Sequence, residues 1–194
     1  FKGRTDVFAK RFESLKSGKT GYQPACENEW APAICNKPKI KCADCEYRAF
    51  TPISNTVIRD HLLGYALPDK SRRDFTVGIY PLLSDETCHF LAVDFDGSNW
   101  QEDISAYLHT CRDMDMSAVM ERSRSGNGGH IWFFFSEPTS AKVARQMAAF
   151  ILTKTMESHP EIGFHSYDRF FPNQDTMPKG GFGNLIALPL QGHP

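Results

Sequence analysis

Phe90-Leu91-Ala92-Val93-Asp94-Phe95-Asp96 begins as an unbroken apolar run and ends in two carboxylates one residue apart. A short apolar run bounded by turn residues reads as a buried strand. In an extended strand residues i and i+2 share a face, so Asp94 and Asp96 project side by side. Two carboxylates in that position repel each other unless a cation lies between them. Phosphoryl chemistry that relies on two divalent ions calls for such a pair.

Working outward, Phe75–Leu83 reads as the strand before this one and Cys88–Asp96 as the central strand, joined by a turn at 84–86. Asn99–Arg112 reads as a helix with Trp100, Ile104, Tyr107, Leu108 and Cys111 on one side. Ser117–Glu121 is a strand, 122–129 a glycine-rich turn, and His130–Phe135 a further apolar strand. Pro138 and Thr139 introduce a helix to about Glu157, with Val143, Met147, Phe150, Ile151 and Lys154 along one face. Phe164–Phe171 and Leu185–Leu188 are the last strands, separated by a loop at 172–183. The layout β-β-α-β-β-α-β-β is α+β with a mostly antiparallel sheet. Before it, Ser54–Leu63 reads as a helix closed by Gly64, and Pro68–Asp74 as a charged turn. Val7, Phe8, Phe12 and Leu15 recur at helical spacing, which predicts a helix over Thr5–Leu15. Gly18-Lys19-Thr20 lacks the upstream glycine and strand of a phosphate-binding Walker loop.

A chain of 194 residues can bury one substantial core. No apolar stretch is long enough to span a membrane and no signal-peptide pattern is present, so an intracellular, cytoplasmic setting without a membrane partner is expected. Phe1 is not an initiator methionine, and the chain reads as one domain cut from a longer protein with flanking domains. Lys and Arg number 22 against 23 Asp and Glu, so no global positive field announces nucleic acid. Residues 1–48 nevertheless carry ten basic against six acidic side chains. A basic quarter beside an acidic remainder suits the handling of a polyanion with metal ions, and equally suits solvated surface.

Cys26, Cys35, Cys42 and Cys45 fall in the pattern C-x8-C-x6-C-x2-C. Cys42-Ala43-Asp44-Cys45 is a tight turn that lets two thiolates reach one ion, and Cys26 and Cys35 supply the other corners. Residues 22–50 are therefore expected to form a zinc knuckle. Four thiolates leave no open position for water, so the zinc would be structural. Lys37, Lys39, Lys41 and Arg48 surround it and would either touch phosphates or keep the module soluble. Cys88 and Cys111 read as core thiols.

Three further segments carry chemistry. Ser123-Arg124-Ser125-Gly126-Asn127-Gly128-Gly129-His130 has glycines that admit a phosphate chain close to the backbone, and donors from Arg124, Ser125 and His130. The same residues would also make an ordinary hairpin turn. In Phe170-Phe171-Pro172-Asn173-Gln174-Asp175, Asp175 is a candidate third carboxylate, with Asp168 as its rival and turn capping as the plainer role. Lys179-Gly180-Gly181-Phe182-Gly183-Asn184 offers a cation and backbone donors before the last strand.

With these motifs in this order, the chain resembles the archaeo-eukaryotic primase (primase-polymerase) catalytic domain. The branch it most resembles is that of TOTE conflict-system primases and CRISPR-associated primase-polymerases. The match is carried by Phe1-Lys2-Gly3-Arg4-Thr5-Asp6-Val7, the four cysteines, Val93-Asp94-Phe95-Asp96, Ser125-Gly126-Asn127-Gly128-Gly129-His130-Ile131-Trp132, Phe171-Pro172-Asn173-Gln174-Asp175 and Gly183-Asn184-Leu185-Ile186-Ala187-Leu188-Pro189. The family's first motif falls on Asp94 and Asp96. Its second falls on His130, with Gly128 where the family has Ser or another small residue. Its third falls best on Asp175.

The resemblance implies an RRM-like antiparallel sheet with packed helices and an inserted zinc knuckle. It implies template-directed nucleotidyl transfer, as DNA primase or polymerase, by a two-metal mechanism. Asp94, Asp96 and Asp175 would hold two Mg2+ or Mn2+ ions. Arg124, Ser125, Asn127, Gly128, Gly129, His130, Lys179 and Asn184 would bind the nucleoside triphosphate. Arg4, Lys37, Lys39 and Lys41 would hold a DNA template or primer, with RNA left open. Two other classes compete: a non-catalytic RRM-like module that binds single strands, in which Phe133 and Phe135 could stack on bases, and a metal-dependent nuclease.

Overall fold

The computed structural model describes residues 1–14, 16–67 and 74–192. Leu15 and most of the expected charged turn at 68–74 lie outside the described residues. The chain divides into two compact units. The first comprises Phe1–Gly3 and Pro81–Met177; the second comprises Arg4–Tyr80 and the described residues from Pro178 on.

In the second unit, β1 (Ala9–Glu13) and β2 (Thr20–Pro24) form a hairpin, followed by α1 (Asn55–Leu63) and β3 (Val77–Ile79). Helix α1 starts where the Ser54 hydroxyl accepts from the Val57 amide at 3.3 Å, and Gly64 ends it at φ 75°. Where a helix is expected over Thr5–Leu15, the described residues instead form a strand over Ala9–Glu13. Val7 and Ala9 are fully buried one residue apart, and Ala9 pairs with both Pro24 and Gly78. Four apolar residues fit a helical period by count, but strand pairing on both sides decides the backbone.

In the first unit, β4 (Thr87–Asp96), α2 (Trp100–Asp113), β5 (Val119–Arg122), β6 (Gly128–Ser140), α3 (Ala141–Ser158) and β7 (Tyr167–Phe171) follow in order. They run β-α-β-β-α-β, and the strands align as β5-β6-β4-β7 with every pairing antiparallel. The last strand, β8 (Ile186–Ala187), joins the other sheet, whose order is β2-β1-β3-β8. The fold is thus α+β with antiparallel pairing, as expected, but β3 and β8 belong to a second sheet where a single sheet is expected. No helix among the described residues is long and apolar enough to cross a membrane.

Leu91, Val93 and Phe95 of β4 and Ile131 and Phe133 of β6 point to one face of their sheet. There they pack against Trp100, Ile104, Tyr107 and Cys111 of α2 and Ala144, Ala148 and Ile151 of α3. Phe133 is therefore core rather than a stacking platform, and Phe135 packs at the edge of the same core. On α3 the buried stripe is Ala141, Ala144, Ala148, Ile151 and Thr155, while Val143 and Phe150 stand 54% and 51% exposed. Small alanines let the helix lie close to the sheet, and that outweighs the size of the apolar residues on the other side. The helix also begins later than expected, because Thr139 and Ser140 still pair with Cys88 and Thr87.

Candidate active site

Alternation along β4 places Asp94 and Asp96 on the face opposite the two helices. Register then decides their neighbours. Across four strands Glu121, His130, Asp94 and Arg169 stand in one row, acid beside base beside acid beside base. Asp96 stands opposite Gly128.

The pairing of β4 with β7 slips between Asp94, which faces Arg169, and Phe95, which faces Tyr167. Asp168 is the extra residue at that bulge. By alternation its side chain would point away from that of Arg169. The bulge re-aims it, and it joins the other two acids. Ligand oxygens of Asp94, Asp96 and Asp168 lie within 4.8 Å of one another. Among the described residues no other group of three or more His, Cys, Asp or Glu side chains is so close.

The electrostatics record the crowding. Burial, together with the neighbouring charges of Asp94 and Asp168, raises the Asp96 pKa above the usual carboxylate value. Arg169 Nε donates to Asp168 Oδ2 at 2.7 Å, and that bond raises the Arg169 pKa. Asp94 Oδ1 is buried and accepts no aligned hydrogen bond, although His130 Nε2 approaches to 3.3 Å. A buried carboxylate oxygen without a donor is costly. Three hard oxygen donors around it fit a Mg2+- or Mn2+-like cation.

His130 lies between two acids: its Nδ1 is 3.0 Å from Glu121 Oε2, and its Nε2 faces Asp94. Burial alone would lower its pKa, but the neighbouring carboxylates of Asp94 and Glu121 outweigh burial and raise it to about 9. The two acids thus favour the protonated imidazole.

The turn before His130 is preorganised. Arg122 grips the Gly126 carbonyl through Nε at 3.1 Å and Nη2 at 2.9 Å, and the Gly126 amide donates to the Ser123 carbonyl at 2.9 Å. Ser125 Oγ accepts from the Asn127 amide, whose own carbonyl accepts from Gly97 at 3.2 Å. Arg124 projects from the same turn. A Cβ on Gly128 would sit 2.3 Å from Asp96 Oδ1 and 2.4 Å from the Phe95 carbonyl, so a seryl side chain has no room there. A Cβ on Gly129 would meet Ile104 and Trp100 of α2.

Asp175 is not in the carboxylate group. It lies beyond β7 and is bound by Arg145 of α3. Lys179, Asn184, Arg4 and the cysteine loop belong to the other unit. Arg4 forks onto Asp6 at 2.9 and 2.5 Å and lies over the Phe182 ring at 5.3 Å, and the guanidinium holds the Asp6 pKa low. Lys37 is engaged by Glu29 and Gln23, while Lys39 and Lys41 are exposed. Cys26, Cys35, Cys42 and Cys45 are free thiols lining a single pocket, without closing to the spacing of the carboxylates.

Glu121, Arg122 and Arg169 escaped the sequence reading. Glu121 and Arg122 were within reach of it, since a hairpin between two strands fixes who faces whom, whereas Arg169 faces Asp94 across a long-range pairing.

A family model described as TOTE conflict system, Archaeo-Eukaryotic Primase domain, matches residues 1–194. No curated protein matches the chain.

Proposed function

The chain belongs to the archaeo-eukaryotic primase family of TOTE conflict systems, and we propose that it is a template-directed primase-polymerase working by a two-metal mechanism. Membership implies a nucleotidyltransferase acting on nucleic acid and nucleoside triphosphates; the assignment of roles to residues is our own. The observation that carries it is the convergence of Asp94, Asp96 and Asp168, with Asp94 Oδ1 buried and lacking a donor.

In this account Asp94, Asp96 and Asp168 hold Mg2+ or Mn2+. The divalent ions, when bound, lower the pKa of an attacking 3′-hydroxyl and neutralise charge on the triphosphate and departing pyrophosphate. The protonated His130 directs a charged N–H donor into the same space, suited to a phosphate oxygen. Arg124 and Ser125 carry further donor groups on a turn that Arg122 keeps in shape, and Asn127, Gly128 and Gly129 are retained with them as nucleotide contacts. Arg169 offsets the acidic charge while holding Asp168. Asp175, bound by Arg145, anchors the loop after β7 instead of serving as a ligand. Lys179 and Asn184 are retained as nucleotide contacts, and Arg4, Lys37, Lys39 and Lys41 as contacts to template or primer.

We take the β-α-β-β-α-β sheet to be RRM-like and the cysteine loop to be a structural zinc knuckle. Two of the thiols have donors that support the thiolate form: Cys26 Sγ accepts from the Ala49 amide at 3.4 Å, and amides of Lys37 and Trp30 lower the Cys35 pKa, while burial raises that of Cys42.

Incubation of the domain with a primed DNA template, labelled nucleoside triphosphates and Mn2+ tests the proposal. Extension that disappears in Asp94→Ala and Asp96→Ala is expected. Gel retardation without extension would establish a binding module, and degradation of the template a nuclease.

A further inference from the structure

We infer that Glu121 is a positioning residue of the nucleotide site, holding the His130 ring so that Nε2 faces the carboxylates, with Trp132 locking Glu121 in turn. The inference rests on the phosphate-gripping role proposed for His130 and names what makes that role possible.

Glu121 and His130 are direct cross-strand partners on β5 and β6, so their side chains stand together on the sheet face that carries Asp94. An imidazole can turn over about its bond to Cβ, exchanging Nδ1 with Cδ2 and Nε2 with Cε1. Here Nδ1 lies 3.0 Å from Glu121 Oε2, and turning the ring over would replace that nitrogen with a carbon and lose the bond. Nε2 is thereby held on the side of Asp94, at 3.3 Å.

A glutamate on an edge strand has freedom to leave its partner, and the same oxygen removes it. Glu121 Oε2 also accepts from Trp132 Nε1 at 3.0 Å. Trp132 is 1% exposed and is wedged by Phe1 at 4.9 Å and Phe90 at 5.3 Å between ring centroids. One rigid indole thus fixes one carboxylate oxygen, and that oxygen fixes one imidazole. The arrangement is that of the outer groups that orient ligating histidines in metal sites, applied here to a phosphate donor.

The plainer alternative is that Glu121 only satisfies a buried indole N–H. Steady-state incorporation with Glu121→Ala, Glu121→Gln, His130→Ala and the double variant Glu121→Ala/His130→Ala separates the two. Positioning predicts that Glu121→Ala raises KM for the nucleotide about tenfold with a smaller change in kcat. Glu121→Gln, whose amide oxygen still accepts from Nδ1–H, should recover most of the loss. In the His130→Ala background Glu121→Ala should have no further effect. Equal losses in both backgrounds, or a Glu121→Ala variant with wild-type KM, would overturn the inference.

Long-range 1H–15N spectra of the His130 ring give a readout independent of turnover. They should show a hydrogen-bonded Nδ1 proton in wild type and Glu121→Gln that is lost in Glu121→Ala. A wild-type Nδ1 without that bond overturns the positioning itself. A wild type with the bond intact but no affinity for nucleoside triphosphate overturns the functional reading instead.

Discussion

Asp94, Asp96 and Asp168 hang from adjacent strands of a four-stranded ladder, whereas Cys26, Cys35, Cys42 and Cys45 lie outside any strand, in loops, one isolated bridge and a single 3-10 turn. The ladder fixes the carboxylates whatever occupies the space between them, at the expense of burial and mutual repulsion that the raised pKa of Asp96 registers. Between Cys26 and Cys45 the backbone is tied by short-range turns, such as Cys35 N to Ala31 O and Asp44 N to Lys41 O, and a single bridge joins Cys26 to Phe50. The thiols share a pocket but do not converge as the acids do. One centre is preorganised and would spend its metal on chemistry; the other would spend its metal on holding the chain together.

Substitution at the first centre should therefore separate activity from stability. Asp94→Asn or Asp96→Asn is expected to reduce nucleotide incorporation on the order of a thousandfold. Its melting temperature should stay level or rise as repulsion is relieved. Unfolding at ordinary temperature would erase the contrast. At the second centre the expectation reverses: Cys42→Ser with Cys45→Ser, or zinc chelation, should destabilise the second unit by several kcal/mol. Hydrogen exchange in β4 and β6 should meanwhile be unaffected. Unchanged melting after chelation would remove the structural metal from the account.

Two histidines, His130 half-buried and His61 buried, extend the comparison to pH, with opposite signs. His130 in the metal-free first unit has a raised pKa, so its contribution is complete below the unfolded value near 6.5 and is lost as pH rises through about 9. His61 in the second unit is buried, its Nδ1 accepting from the Val77 amide at 3.2 Å and its Nε2 2.9 Å from the Pro189 carbonyl. Burial lowers its pKa, so its contribution is present above about 6.5 and lost as pH falls below. Unfolding monitored separately in each unit across pH 5–10 should show the first weakening in alkali and the second in acid. His130→Ala should abolish the alkaline slope.

Smaller effects follow from supporting contacts. Asp103 in the first turn of α2 accepts from the amide and hydroxyl of Ser166, whose carbonyl in turn accepts from the Asp96 amide at 2.7 Å. Asp103→Ala leaves those donors unpaired and should cost about 1–3 kcal/mol. Lys39→Ala and Lys41→Ala, both at exposed positions, should each flatten the salt dependence of template binding by about one unit of slope, the mildest outcome of the set.

Strand-like runs and paired acids were legible because alternation and burial are local properties. The element order from β3 to β8 follows the hydrophobic pattern, and the Asp94/Asp96 pair follows from period two alone. Asp168 was harder to place, because the bulge that turns its side chain is a misfit between two strands and leaves no trace in either one. Asp175 sits at a plausible spacing, but an arginine thirty residues away on α3 holds it elsewhere. The N-terminal helix expectation failed for a similar reason: Ala9–Glu13 has partners on both sides that its own sequence does not announce.

The central claim is that Asp94, Asp96 and Asp168 form the metal-holding carboxylate set. Mn2+-dependent primer extension by Asp168→Asn and Asp175→Asn, measured side by side with wild type, tests it most directly. The account predicts that Asp168→Asn loses extension while Asp175→Asn retains most of it. Retained extension in Asp168→Asn, with loss in Asp175→Asn, would contradict it.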